Sequence, residues 1–152
     1  SGGDGADTIN GNGGNDTLYG RGSGSSDDSS NNILNGGAGN DTLVTGNGQD
    51  ILDGGTGADT ITSGSGADTI VLRVGDGGST LAAADTITDF TDGSDVLGMD
   101  DGMQYTDLTI AQGTGSNSSD TIISAGSEYL MILTGIDVSA LSEADFTPVD
   151  IV

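Results

Sequence analysis

Residues 36–71 read GGAGNDTLV, TGNGQDILD, GGTGADTIT and SGSGADTIV, four consecutive units of nine with the pattern G-G-x-G-x-D-x-U-x, where U is a large aliphatic residue. Two more units, GGDGADTIN (2–10) and GNGGNDTLY (11–19), precede them. The aliphatic positions are Ile9, Leu18, Leu34, Leu43, Leu52, Ile61 and Ile70, spaced by 9, 16, 9, 9, 9 and 9. The irregular gap is nine plus seven, which places a seven-residue insertion within 20–32 (GRGSGSSDDSSNN). A degenerate third unit survives there, with Leu34 at the aliphatic position and Asn32 in place of aspartate.

One aliphatic residue in nine builds a core only if successive units stack and align those residues in an inner row. The segments around them, such as DTI, DTL and DIL, carry β-forming residues and predict brief strands. The glycine-rich half of each unit must turn the chain, and glycine accepts the backbone angles and close approaches that turning requires. Stacking then carries Asp7, Asp16, Asp41, Asp50, Asp59 and Asp68, with Asn32 in the degenerate unit, into rows at the edge beside backbone carbonyls. Such carboxylates repel one another unless a cation lies between them. A hard divalent ion accepting six to eight oxygens at ~2.3–2.6 Å is the natural counter-charge, and this favours Ca2+ over Mg2+. A single aspartate is most often a solvated surface charge. Six in one phase with the glycines argue for ligation instead. Asp27 and Asp28, in the insertion, read as loop charge, and Asp53, at the ninth position of its unit, reads as an outward, solvated residue.

Composition narrows the function. There are 24 acidic residues against two basic ones, Arg21 and Arg73, for a formal charge of −22. A surface so acidic repels phosphate backbones, so no nucleic-acid partner is expected. Histidine and cysteine are absent, which removes disulfides, zinc sites and cysteine or Ser-His nucleophiles. No HExxH, GxSxG, GxGxxG or P-loop pattern occurs, so the chain is read as non-catalytic, with any enzyme activity located elsewhere in a larger parent. No run reaches the ~18 apolar residues of a membrane span, so no membrane insertion is expected. The chain opens on Ser1 with no secretory leader pattern and is expected to be a piece of something longer. The sequons at Asn15 and Asn40 arise from the repeat pattern itself. The weakly periodic threonines Thr8, Thr17, Thr42, Thr60 and Thr69 invite an ice-binding reading. The turn position that would need regularity, however, reads Asp4, Gly13, Ala38, Asn47, Thr56 and Ser65, which argues against it.

After Val71 the nine-residue unit stops. Short apolar or alternating runs follow, DTITDFTDGSDVLGM (85–99), DLTI (107–110), DTIIS (120–124) and EYLMILTGI (128–136), and they predict antiparallel strands. Tyr129, Met131, Leu133 and Phe146 are expected in a core or cap, since the end of a stacked solenoid exposes its interior and needs covering. Ser142 with Asp145 three residues on resembles a capping box for a helical turn over 139–146.

The nonapeptides of 2–71 resemble the RTX family, the calcium-binding β-roll of proteins exported by bacterial type I secretion. The strings DTITDF and GSDVL, and the tail LTGIDVSALSEADF, resemble the region that follows the roll in serralysin-type proteases and related exported proteins. TPVDIV after Phe146 runs on further than is usual there. The resemblance implies two units per coil and an ion between turns one coil apart. Asp41 would then face Asp59, Asp50 would face Asp68, and Asp16 would face Asp41 across the insertion. Asn32 would lie between Asp7 and Asp50, at weaker sites. The implied metal set adds the turn glycines Gly37, Gly39, Gly46, Gly48, Gly55, Gly57, Gly64 and Gly66, and three to five Ca2+ ions. By the same analogy Asp85, Asp89 and Asp95 bind a further ion, though turn and strand-end acids read equally well there.

The expected fold is therefore all-β: a parallel β-roll over 1–71, then a β-sandwich-like capping region of short antiparallel strands over 72–152 that carries a type I secretion signal. The leading function is a calcium-binding module that folds after export, as the C-terminal folding and secretion domain of an extracellular or cell-surface protein. Its expected partners are calcium and the type I secretion machinery, and the expected state is a monomer. The alternative is a carbohydrate- or surface-binding module of a polysaccharide-modifying enzyme or an adhesin, with an extracellular polysaccharide as partner.

Overall fold

The computed structural model describes residues 1–21 and 29–151. Asp27 and Asp28 lie outside them. The strands of the repeats are β1 (Thr8–Asn10), β2 (Thr17–Tyr19), β3 (Ile33–Ala38), β4 (Thr42–Val44), β5 (Asn47–Gly48), β6 (Ile51–Thr56), β7 (Thr60–Thr62), β8 (Ser65–Gly66) and β9 (Thr69–Leu72). Beyond them come β10 (Asp85–Ile87), β11 (Val96–Met99), β12 (Leu108–Gln112), β13 (Thr121–Ala125), β14 (Glu128–Leu133) and β15 (Phe146–Pro148).

Alternate units supply opposite sides of a roll. One sheet runs β1-β3-β6-β9-β11-β15 and the other β12-β13-β14-β10-β7-β4-β2, while β5 and β8 form a small two-stranded sheet. Pairing within the roll is parallel and in phase with the repeat. Leu34 registers on Leu52 and Leu52 on Ile70 in the first sheet; Leu18 registers on Leu43 and Leu43 on Ile61 in the second. Leu34, Leu43, Leu52, Ile61 and Ile70 are fully buried. Burying each such side chain contributes roughly 1.5–3 kcal/mol, so the inner rows are the main apolar support of the coil.

The nonapeptide ends at Val71, yet the parallel stack continues. Ile87 registers on Ile61 and Leu97 on Ile70, so both occupy aliphatic positions of a further coil. Leu133 then follows Ile87, and Phe146 follows Leu97. Ile61 to Ile87 is 26 residues and Ile70 to Leu97 is 27, a coil of 18 enlarged by eight and nine. These added loops hide the repeat in the sequence.

Of the runs expected to be antiparallel, 107–110, 120–124 and 128–136 supply β12, β13 and β14, which continue the second sheet beyond β10 with antiparallel pairing of β13 to both its neighbours. The run 85–99 corrects that expectation, since β10 and β11 pair in parallel with the roll. Met131, Leu133 and Phe146 are buried, and Tyr105 packs edge-on against Phe146 with ring centroids 5.0 Å apart. Tyr129 departs from its expected core position: it is 37% exposed, because it lies next to Leu130 at the irregular register of the β13–β14 hairpin. The capping box forms, with Asp145 Oδ2 accepting the Ser142 N–H at 2.7 Å at the head of a 3-10 turn. Pro148, which cannot donate to a ladder, sits in β15 at the edge of its sheet.

Candidate metal centre

Each aspartate of the repeat closes one turn and opens a strand, and stacking places it directly over its counterpart one coil away. Asp16 N–H donates to Asp41 Oδ1 at 2.7 Å, Asp41 N–H to Asp59 Oδ1 at 2.7 Å and Asp59 N–H to Asp85 Oδ1 at 2.9 Å. On the opposite side Asp7 N–H donates to Asn32 Oδ1 at 3.0 Å and Asn32 N–H to Asp50 Oδ1 at 2.7 Å. That row continues from Asp50 N–H to Asp68 Oδ1 at 2.9 Å and from Asp68 N–H to Asp95 Oδ1 at 3.1 Å. The sequence-expected neighbours are thus brought together in two rows, and Asp85 and Asp95 extend them past the repeats.

Asp41, Asp50, Asp59 and Asp68 each spend Oδ1 on this ladder, while Asp7 and Asp16, at the starts of the rows, contribute only their N–H. In all six, Oδ2 is buried and accepts no hydrogen bond. Asp41, Asp50, Asp59 and Asp68 are at most 2% exposed. An isolated buried carboxylate oxygen costs several kcal/mol unless a charge or donor meets it. Burial raises the pKa of Asp68 to about 6, with Asp95 and Asp50 adding repulsion. Asp59 is raised by burial and by Asp41, and Asp85 by burial and by Asp59.

The turns supply neutral oxygens and close packing. Gly55, at φ +84°, has the Gly37 carbonyl oxygen where a Cβ would stand, and Gly66, at φ +147°, meets the Gly48 carbonyl in the same way. Neither position admits a side chain. Among the described residues no three acidic side chains are placed to hold one ion by themselves. Paired carboxylates from stacked turns, completed by backbone carbonyls, are the donor set on offer. That all-oxygen set fits a hard cation such as Ca2+.

Two acids offered by resemblance are engaged differently. Asp89 accepts the Ser63 N–H on Oδ1 at 3.0 Å and the Gly64 N–H on Oδ2 at 2.8 Å. Asp95 accepts the Thr91 N–H on its Oδ2 at 2.8 Å. Both carboxylates cap backbone donors with both oxygens.

Asp53 corrects the reading of a solvated outward acid. It is 3% exposed, and Arg73 grips it with Nη1 at 3.2 Å from Oδ1 and Nη2 at 3.0 Å from Oδ2. Arg73 Nη2 also reaches Asp100 Oδ2 at 2.7 Å, and Nη1 lies 3.5 Å from Asp76. Burial would lower the Arg73 pKa, but the Asp100 hydrogen bond and the Asp53 charge raise it, and Asp100 is held low by the same contact. Asp76 is pushed up to about 7 by burial, with Asp53 and Glu128 adding to the rise. Sequence reasoning missed this hub; its signal was the isolation of Arg73 in so acidic a chain.

Stacked glycine turns around inner aliphatic rows define a parallel β-roll with acidic turn rows. The sequence model of the RTX calcium-binding nonapeptide repeat, four copies long, matches residues 1–23, 26–61 and 45–78, and the chain belongs to that family. No curated protein matches the chain in sequence. Among solved structures it is similar to the extracellular lipase LipA of Serratia marcescens, with TM-score 0.61 and 22% identity, over 96% of this chain and 20% of the lipase. The chain thus spans a fifth of that protein. It is also similar to the AlgE6R3 subunit of the Azotobacter vinelandii mannuronan C5-epimerase, with TM-score 0.63 and 24% identity, over 91% of this chain and 80% of the subunit. The AlgE6R2 subunit of the same enzyme matches at TM-score 0.54 and 24% identity, over 91% and 89%. At these identities the likeness concerns the fold.

Proposed function

We propose that this chain is a calcium-triggered folding and export module of a larger secreted protein. Calcium would be held between stacked turns by Asp7, Asp16, Asp41, Asp50, Asp59, Asp68 and Asp85 with the carbonyls of the glycine turns. The observation that carries the reading is the set of six buried Oδ2 atoms without a partner among the described residues. Calcium bound there supplies the positive charge that a chain of −22 lacks. Where free calcium is scarce, as in a bacterial cytosol, carboxylate repulsion and glycine entropy favour the unfolded chain, the form able to thread a type I export channel. Outside the cell, calcium at ~10⁻⁴–10⁻³ M and above suits extracellular modules of this kind and stabilises the folded state by mass action. Binding and folding then become one equilibrium. The module itself performs no chemistry; the parent's activity belongs to other domains. A circular dichroism titration tests this: β signal should appear on adding calcium and vanish in EDTA, and full β structure in EDTA would refute the reading.

The alternative, a carbohydrate- or surface-binding module, draws on the epimerase subunits among the fold's neighbours. Anionic polymers need basic residues, and Arg73 is committed to Asp53 and Asp100. Glycan arrays run with and without calcium separate the two readings, since a calcium-dependent glycan signal favours the alternative.

A further inference from the structure

The two rows of turns differ at the first position of the turns that carry Asp50 and Asp68. In one row that position is Gly11, Gly36 and Gly54. A Cβ on Gly36 would lie 2.5 Å from both Asp41 Oδ2 and the Gly54 carbonyl oxygen. Gly11 faces Asp16 Oδ2 and the Gly36 carbonyl in the same manner. The space before Gly11 and Gly36 is therefore bounded by a carboxylate of one turn and a carbonyl of the next, and that before Gly54 by the Asp59 carboxylate. In the other row Gly2 and Gly20 hold the equivalent position in the first coils, but Thr45 and Ser63, both buried, hold it at the Asp50–Asp68 step. The Thr45 hydroxyl donates to the Ser63 carbonyl at 2.6 Å, so the counterpart of the Gly54 carbonyl is already engaged.

The carboxylates differ in the same direction. The glycine row, Asp16–Asp41–Asp59–Asp85, has a carboxylate at every step. The second row is interrupted at Asn32, whose Nδ2 donates to the Ser30 carbonyl at 3.1 Å, and ends at Asp95, whose Oδ2 is taken by the Thr91 N–H. Within that row only the Asp50–Asp68 step pairs two carboxylates whose Oδ2 atoms both lack a partner.

We infer that the roll has two unequal calcium rows, a tight one along Asp16, Asp41, Asp59 and Asp85 and a weak one along Asp7, Asp50 and Asp68. The inference rests on the calcium reading above. Calcium affinity follows the number of charged ligands and how freely they close on the ion. In the glycine row each ion meets two carboxylates and unencumbered carbonyls. In the other row it meets one carboxylate at most steps and competes with the Thr45 hydroxyl for Ser63.

Calorimetric titration of the whole chain with calcium chloride reads this directly. Two classes of site, separated by at least about tenfold in affinity, are expected. Asp41→Asn should take sites from the tight class and Asp50→Asn from the weak class. Because either variant could lose folding as well as an ion, the converse change is also measured: Thr45→Gly with Asn32→Asp should enlarge the tight class. A single class, loss of tight sites in Asp50→Asn, or an unchanged tight class in the Thr45→Gly, Asn32→Asp chain overturns the inference while leaving calcium binding intact. Absence of any binding in the unaltered chain overturns the calcium reading itself, and the inference with it.

Discussion

Asp41 and Asp59, 18 residues apart, share a 2.7 Å hydrogen bond from the Asp41 N–H to Asp59 Oδ1, while the Oδ2 of each stays buried and unpartnered. This half-satisfied geometry repeats along both rows. It converts a sequence period into a demand for external charge.

Thermal stability should therefore follow calcium rather than ionic strength. A site present at a hundredfold excess of ligand over Kd stabilises by about 2.7 kcal/mol, and in a chain of this size each kcal/mol moves Tm by roughly 2–4 °C. Melts recorded over a calcium series should show a rising Tm. Magnesium at the same concentrations should do little, since it dehydrates reluctantly and demands a stricter octahedron.

Acid should act oppositely on the metal-free and loaded chains. The Asp68 pKa lies at about 6 in the fold against an ordinary 3.8, so the folded chain binds this proton more tightly than the unfolded one. The resulting stabilisation is complete below about pH 4 and is lost as pH rises through about 6. Asp59 and Asp85, also raised, act in the same sense. In EDTA, dichroism should report more β structure at pH 4.5 than at pH 7.5. With calcium present, protons compete for the same oxygens, and acidification should lower Tm.

Gly55→Ala should cost far more than Gly75→Ala. Both glycines have positive φ, but a Cβ on Gly55 collides with the Gly37 carbonyl, whereas one on Gly75 has nothing within 4 Å. Backbone strain alone costs of order 1–3 kcal/mol; the added clash separates adjacent coils. Urea melts at saturating calcium provide the comparison, and equal losses would contradict the stacking described here.

Arg73→Met leaves Asp53 and Asp100 buried without their counter-charge, a loss of about 3–5 kcal/mol. Adding Asp53→Leu to Arg73→Met should recover part of it, because one stranded carboxylate is then gone. Denaturant midpoints of the three chains at saturating calcium test the point; a harmless Arg73→Met would show the hub to be dispensable.

Much of the architecture was legible because the repeat fixes which residues face inward. Leu34, Leu52 and Ile70 could be placed in one row by counting nines. Ile87 and Leu97 could not, since enlarged loops displaced them from the period, though DTI at 85–87 and DVL at 95–97 keep the D-x-U signature. Asp53 was misread because the rule that ninth positions face water assumes a bare outer face. The chain after β9 puts Arg73 on that face, a contact between residues 20 apart that no local pattern encodes. Asp89 and Asp95 look alike in sequence, yet only Asp95 joins the ladder, through Oδ1; the backbone donors that take the remaining oxygens of both distinguish capping from an unpartnered oxygen.

Six carboxylate oxygens sealed inside the described residues with no internal donor mean that the polypeptide specifies a shape it does not finish with those atoms alone. On the calcium-triggered folding proposed above, the mineral content of the medium would act as an extension of the sequence, giving a single gene product two physical forms, chosen by where it finds itself.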